Sequence, residues 1–141
     1  MDPRVIDARL RKLNVYVGKL KRYRDVSLVE YLRDEDMQSI VERRLQLALQ
    51  VCIDIANYII AHQRLEIPDE VENVFAVLGH SHIIPEELAE RIKGMIRFRN
   101  ILVHDYLDID QTIVHRLLTR SLQDFDDFAR AIVDWMDRQS L

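Results

Sequence analysis

The stretch LQLALQVCIDIANYIIA, residues 45–61, decides the fold. Wound as a helix, it sets Leu45, Leu47, Ala48, Leu49, Val51, Cys52, Ile53, Ile55, Ala56, Ile59 and Ile60 on nearly every side of the axis. A helix that is apolar all round is buried all round. A helix of a four-helix bundle normally buries one stripe, so the surplus apolar surface implies a partner molecule. Gln50, Asp54 and Asn57 interrupt it as a narrow polar strip at four- and three-residue steps. Buried polar groups need partners, so the strip either knits an interface or faces a site.

This helix is expected to start near Asp34 and end about His62. Before it, Asp2 as N-cap and Pro3 at the first helical position predict a helix running to about Arg24. Val5, Ile6, Leu10, Leu13, Val17, Leu20 and Tyr23 recur along it at three- and four-residue steps. A short segment around SLVEYL follows. After it, Asp69 and Glu72 have capping-box spacing for a short helix that Gly79 would end in the left-handed conformation. Pro85, with Glu86 and Glu87 at the positive end, opens a further helix to about Val103. Asp110 or Asp108 would cap one last helix carrying Ile113 through Trp135. The expected fold is all-α: an antiparallel up-and-down bundle of four main helices plus a short one, in a single domain over residues 1–141.

The totals agree with this outline. At 141 residues, with three glycines and three prolines, the chain is sized for one domain and has few breaks. Apolar residues make up 48%, enough for a core and a second buried surface. Cys52 has no partner within the chain and reads as core filler, which suits a reducing compartment. The opening MDPRVIDARL has no apolar signal core, and no apolar run approaches the roughly 20 residues of a membrane span. A cytosolic protein is expected. The net charge of −4 is uneven: residues 1–24 hold eight Lys and Arg against two Asp, leaving −10 for the rest. The acidic total argues against a general duplex binder. His80 and His82 in GHSH lack a second ligand pair at zinc spacing, so no metal and no cofactor is expected. His62 and His115 read as surface or packing histidines.

Chemistry concentrates in RFRNILVHDY, residues 97–106. The apolar stripe Leu88, Ile92, Met95, Ile96 reaches Arg99 at its next position, and Leu102 and Val103 resume it. A guanidinium there must find an anion or a solvent-filled cleft. One reading is an internal salt bridge to Asp54 or another carboxylate. His104 opens another. Positions five apart on a helix diverge by about 140°, so Arg99 and His104 meet either by unwinding of the helix end or across a two-fold axis. Asn100, four before His104, is placed to orient the imidazole, and Tyr106 would share the arginine's face if the helix continued. Paired arginines and histidines permit metal-free phosphodiester chemistry. One histidine takes a proton from a ribose 2′-hydroxyl, another protonates the leaving oxygen, and the guanidinium forks hold the phosphate.

R-x4-H-x-Y, here Arg99, His104 and Tyr106, resembles the signature of the HEPN superfamily, specifically the HepT toxins of type VII HepT–MntA toxin–antitoxin pairs. ERRLQLALQVCIDIANYIIAH resembles that family's second helix, IPEEL the start of its fourth, and SLQDFDDFARAI its last. The resemblance implies a dimerising helical bundle with a composite, metal-independent endoribonuclease site. Arg99 and His104 take the catalytic positions and Asn100 the supporting polar one; Asp54 and Asn57 are added from helix periodicity alone. It also implies an MntA-type nucleotidyltransferase partner that transfers AMP onto Tyr106. A different reading is a non-catalytic helical module that binds a nucleotidyltransferase or nucleotide through the same cleft.

Overall fold

Residues 1–104 and 109–139 of a computed structural model are described below, without the side chains of 101–104. The Asp2 carboxylate accepts the Arg4 N–H at 2.9 Å, capping α1 (Pro3–Lys21), which ends a turn before the expected Arg24. Ser27 caps the short α2 (Leu28–Arg33) by accepting the Glu30 N–H. Asp34 caps α3 (Glu35–His62) by accepting the Met37 N–H at 3.0 Å. Then come a 3-10 turn (Val71–Asn73), α4 (Val74–His80), α5 (Glu86–His104), α6 (Gln111–Arg120) and α7 (Leu122–Gln139). No strand occurs among the described residues.

The four long helices form a closed ring in which α1 packs on α3, α3 on α5, α5 on α7 and α7 on α1. Cross-links show each neighbour running antiparallel. Asp2, at the start of α1, meets Tyr58 near the end of α3. Lys21, at the end of α1, pairs with Asp126 near the start of α7 at 2.7 Å. Arg91 of α5 pairs with Asp124 at 2.6 Å, while Arg138 reaches the His82 carbonyl just before α5. The up-and-down bundle is therefore present, with three short helices added to it.

Those short helices explain the apolar girth of α3. Besides α1 and α5, it is covered by α2, α4 and α6. Leu45, Ala48, Leu49, Val51, Cys52, Ile53, Ile55, Ala56, Ile59 and Ile60 are all buried within the one chain, and Leu47 only partly. A partner molecule is thus not needed to account for most of this surface, contrary to the sequence expectation. By length and composition α3 could also cross a membrane, which the sequence reading denied; here it is the central helix of the core.

Three local expectations fail for identifiable reasons. The Asp69–Glu72 capping box is absent, because the chain enters a 3-10 turn whose N-cap, Glu70, makes no side-chain bond. Gly79 does not end α4 in the left-handed region; it lies within the helix, and the positive φ falls on His82, at 60°. Its missing Cβ serves packing instead, since a Cβ there would lie 3.2 Å from that of Ala89. The last helix is two helices, interrupted at Ser121. Asp110 does cap the first of them, accepting the Thr112 N–H at 3.0 Å.

Candidate active site

The stripe that raises the functional question folds as read. Leu88, Ile92, Met95 and Ile96 are buried on α5, and Arg99 follows them half-buried. Its guanidinium meets α3. Arg99 Nη2 donates to Gln50 Oε1 at 2.5 Å, and Nη1 donates to Asn100 Oδ1 at 3.1 Å. Gln50 Nε2 in turn donates to Asp54 Oδ1 at 2.9 Å. The polar strip of α3 therefore faces α5, because Gln50 and Asp54, four apart, share one side of the helix.

No carboxylate among the described residues forms an ion pair with Arg99. The internal salt bridge to Asp54 considered from sequence is not made: Asp54 stands one amide away, bonded to Gln50. Arg99 Nε is moreover buried with no acceptor among the described residues. The group keeps its positive charge and spare donors on a half-buried surface, an arrangement that suits an arriving anion. Asn57 is exposed and contributes nothing to this cluster. Gln50 was visible from sequence only as part of the strip; its role as the link between Arg99 and Asp54 depends on the approach of α5.

α5 remains helical through His104. Positions 99 and 104 are therefore about 140° apart around its axis, and the unwinding route to their meeting is not taken up to that residue. Tyr106 lies outside the described residues. The chain re-emerges in a well-anchored place. Gln111 at the start of α6 accepts a hydrogen bond from the Tyr31 hydroxyl at 3.0 Å and donates to Glu42 of α3. Burial, with Glu42 nearby, pushes the Tyr31 phenol up from its ordinary value. His115 bonds the Val26 carbonyl at 2.7 Å and packs on Tyr31, a structural role as expected. His80 and His82 are exposed, and no metal-holding group of side chains occurs among the described residues.

Comparison with known proteins places this geometry in context. Residues 13–132 match the family model for HepT-like ribonucleases. A tRNA nuclease HepT from Aphanizomenon flos-aquae is 33% identical over 136 residues, spanning 96% of this chain and 92% of the relative. An mRNA nuclease HepT from Shewanella oneidensis is 35% identical over 103 residues, 73% of this chain and 77% of that one. The solved structure of the tri-AMPylated Shewanella oneidensis HEPN toxin in complex with MNT antitoxin superposes with a TM-score of 0.86 at 30% identity, covering 95% of this chain and 99% of that one.

Proposed function

The chain belongs to the HepT-like ribonuclease family, and on that footing we propose that it is the toxin of a HepT–MntA type toxin–antitoxin pair. It acts as a metal-independent endoribonuclease in the cytoplasm, with its site completed across a homodimer. The observation that carries this reading is Arg99: a half-buried guanidinium on a core stripe, held by two amides and paired with no carboxylate among the described residues. A structural arginine would have its anion in the fold. This one leaves the place open for a phosphate.

The chemistry follows from the side chains. His104 of one protomer removes the proton from a ribose 2′-hydroxyl, which attacks the adjacent phosphorus. The second His104 protonates the departing 5′-oxygen. The two Arg99 forks hold the phosphate and meet the charge that grows on its oxygens. The two-fold pairing brings arginine and histidine together although they diverge along one helix. Gln50 and Asn100 fix the Arg99 fork, and Asp54 fixes Gln50.

Silencing takes place at Tyr106, onto which an MntA-type nucleotidyltransferase transfers AMP. The transfer adds a negative phosphate and a bulky nucleoside that would compete with the RNA phosphate for Arg99. The AMPylated state of the Shewanella relative supports this step.

The test is RNA cleavage in excess EDTA by protein expressed without its partner, beside His104→Ala and Arg99→Ala variants checked for fold and oligomeric state. Cleavage by wild type that both folded variants lose supports the proposal. Unmodified wild type that cleaves no RNA and is harmless to cells would leave the non-catalytic binding module as the better account. Incubation with the nucleotidyltransferase and ATP should then add nucleotide mass to the peptide containing Tyr106, and a Tyr106→Phe variant should escape both modification and silencing.

A further inference from the structure

Three cations along one edge of α1 have no ion-pair partner among the described residues. Arg9, Lys12 and Lys19, with Tyr16 among them, recur at steps of three, four and three, which keeps them within an arc of about 80°. None forms an ion pair among the described residues, whereas Arg4 pairs with Asp2 and Lys21 with Asp126. The acidic Asp7 lies on the opposite edge of the helix. Three of the eight N-terminal cations thus share one side of the helix, next to α3.

Facing that edge, α3 carries a ready-made stack. The Arg9 guanidinium lies 5.5 Å from the centre of the Tyr58 ring, and Tyr58 packs against His62 at 4.3 Å. His62 is exposed at the helix end. Arg9 Nη1 is buried without an acceptor among the described residues. On α3 the residues Gln50, Asp54, Tyr58 and His62 follow one another at four-residue steps. Each step turns about 40° around the axis, so the row winds from the α5 side, where Gln50 meets Arg99, to the α1 side, where Tyr58 meets Arg9. About 12 Å of helix separates Gln50 from Tyr58.

We propose that this seam between α1 and α3 is a track for single-stranded RNA, continuous with the Arg99 cluster. The inference rests on the nuclease reading and deepens it by naming how substrate beyond the cleaved phosphate is held. Cations interleaved with aromatic rings suit a flexible strand: the cations follow the phosphates, and the bases stack on exposed rings such as His62. A duplex would need a broad positive surface, which a chain of net charge −4 does not offer.

The test is fluorescence anisotropy with a 2′-O-methyl oligoribonucleotide, which lacks the attacking hydroxyl and so reports binding alone. Affinity is measured over a salt series for wild type, for Lys12→Gln with Lys19→Gln, and for a control pair, Arg116→Gln with Arg130→Gln, on exposed faces of α6 and α7. Each phosphate contact on a single strand contributes about 0.7 to the slope of log affinity against log salt. The Lys12 and Lys19 pair should therefore flatten that slope by about 1.4, and the control pair should leave it in place. His62→Ala, measured in mildly alkaline buffer, should weaken binding at every salt concentration with the slope retained. An unchanged slope in the lysine pair, or an equal change in the control pair, overturns the track even if wild type cleaves RNA. Wild type that neither binds nor cleaves RNA overturns the nuclease reading, and the track with it.

Discussion

Replacing Arg99 by alanine separates a structural arginine from a functional one. Its two hydrogen bonds, to Gln50 and Asn100, join a charged donor to amide oxygens, and such bonds contribute about 1.5–3 kcal/mol each. Two features reduce the net value. Nε is already buried without an acceptor, which costs about 1–3 kcal/mol and is relieved on truncation. Gln50 and Asn100 are only half-buried, so their oxygens turn to water, and Gln50 keeps Asp54. Loss of the alkyl stem's packing adds a little. The expected destabilisation is about 1–2 kcal/mol, well below the roughly 3–5 kcal/mol of breaking a buried ion pair on one side. Urea unfolding followed by circular dichroism measures it, at a fixed protomer concentration because association would shift the midpoint. Arg99→Met, which keeps most of the stem, should fall within about 1 kcal/mol of wild type. A loss above about 3 kcal/mol for Arg99→Ala would refute the reasoning, because it would mean that the fold contains the guanidinium's anion after all.

Four further outcomes are expected. Gly79→Ala forces a methyl group to within 3.2 Å of Ala89 and should cost about 1–3 kcal/mol, seen as a lower thermal midpoint. Phe128→Ala empties a fully buried site edge-on to Phe75 and should cost about 3–5 kcal/mol in denaturant unfolding. Burial, reinforced by Asp54, pushes the Cys52 thiol up, so it should resist thiol reagents in the native protein and react only once the chain unfolds. The raised Tyr31 phenol means that the folded state holds its proton longer than the unfolded chain does. Stability from this source is complete below pH 10 and declines as the pH rises beyond it. Tyr31→Phe should flatten that alkaline decline while costing about 1 kcal/mol at neutral pH through loss of the Gln111 bond.

What could be read in advance follows the range of the forces involved. Caps and proline act within a turn, so Asp2, Asp34, Pro85 and Asp110 placed the helix starts closely. The break at Ser121 was invisible because Leu118, Leu122 and Phe125 keep helical spacing across it, and no glycine or proline marks it. It comes from tertiary demand: α6 must lie over α2, while α7 follows α1 and α5. Gly79 carried a true signal with the wrong assignment. A missing Cβ serves a left-handed turn and a close helix crossing equally well, and only the neighbouring helix decides. The polar strip on α3 was legible, but its target was not, since Gln50 and Arg99 lie 49 positions apart and meet through packing.

The same arrangement explains why one modification could silence the proposed enzyme. Arg99 is held by neutral amides, no carboxylate among the described residues pairs with it, and Asp54 is kept one amide away. Were Asp54 in direct contact, the guanidinium would be satisfied at rest, and an RNA phosphate would have to displace a carboxylate. With Gln50 between them, the fork is oriented but not neutralised. On the proposed mechanism, an AMP group on Tyr106 would compete with an RNA phosphate for Arg99, and a tethered group has the higher effective concentration. Gln50→Glu tests this directly, because it puts a carboxylate where the amide oxygen now meets Arg99. Cleavage should fall at least tenfold, while stability should change by no more than about 1 kcal/mol, because the new ion pair is offset by the lost bond to Asp54 and the repulsion between two carboxylates. Gln50→Glu that cleaves as well as wild type would show that the unneutralised charge of Arg99 is not what the site depends on.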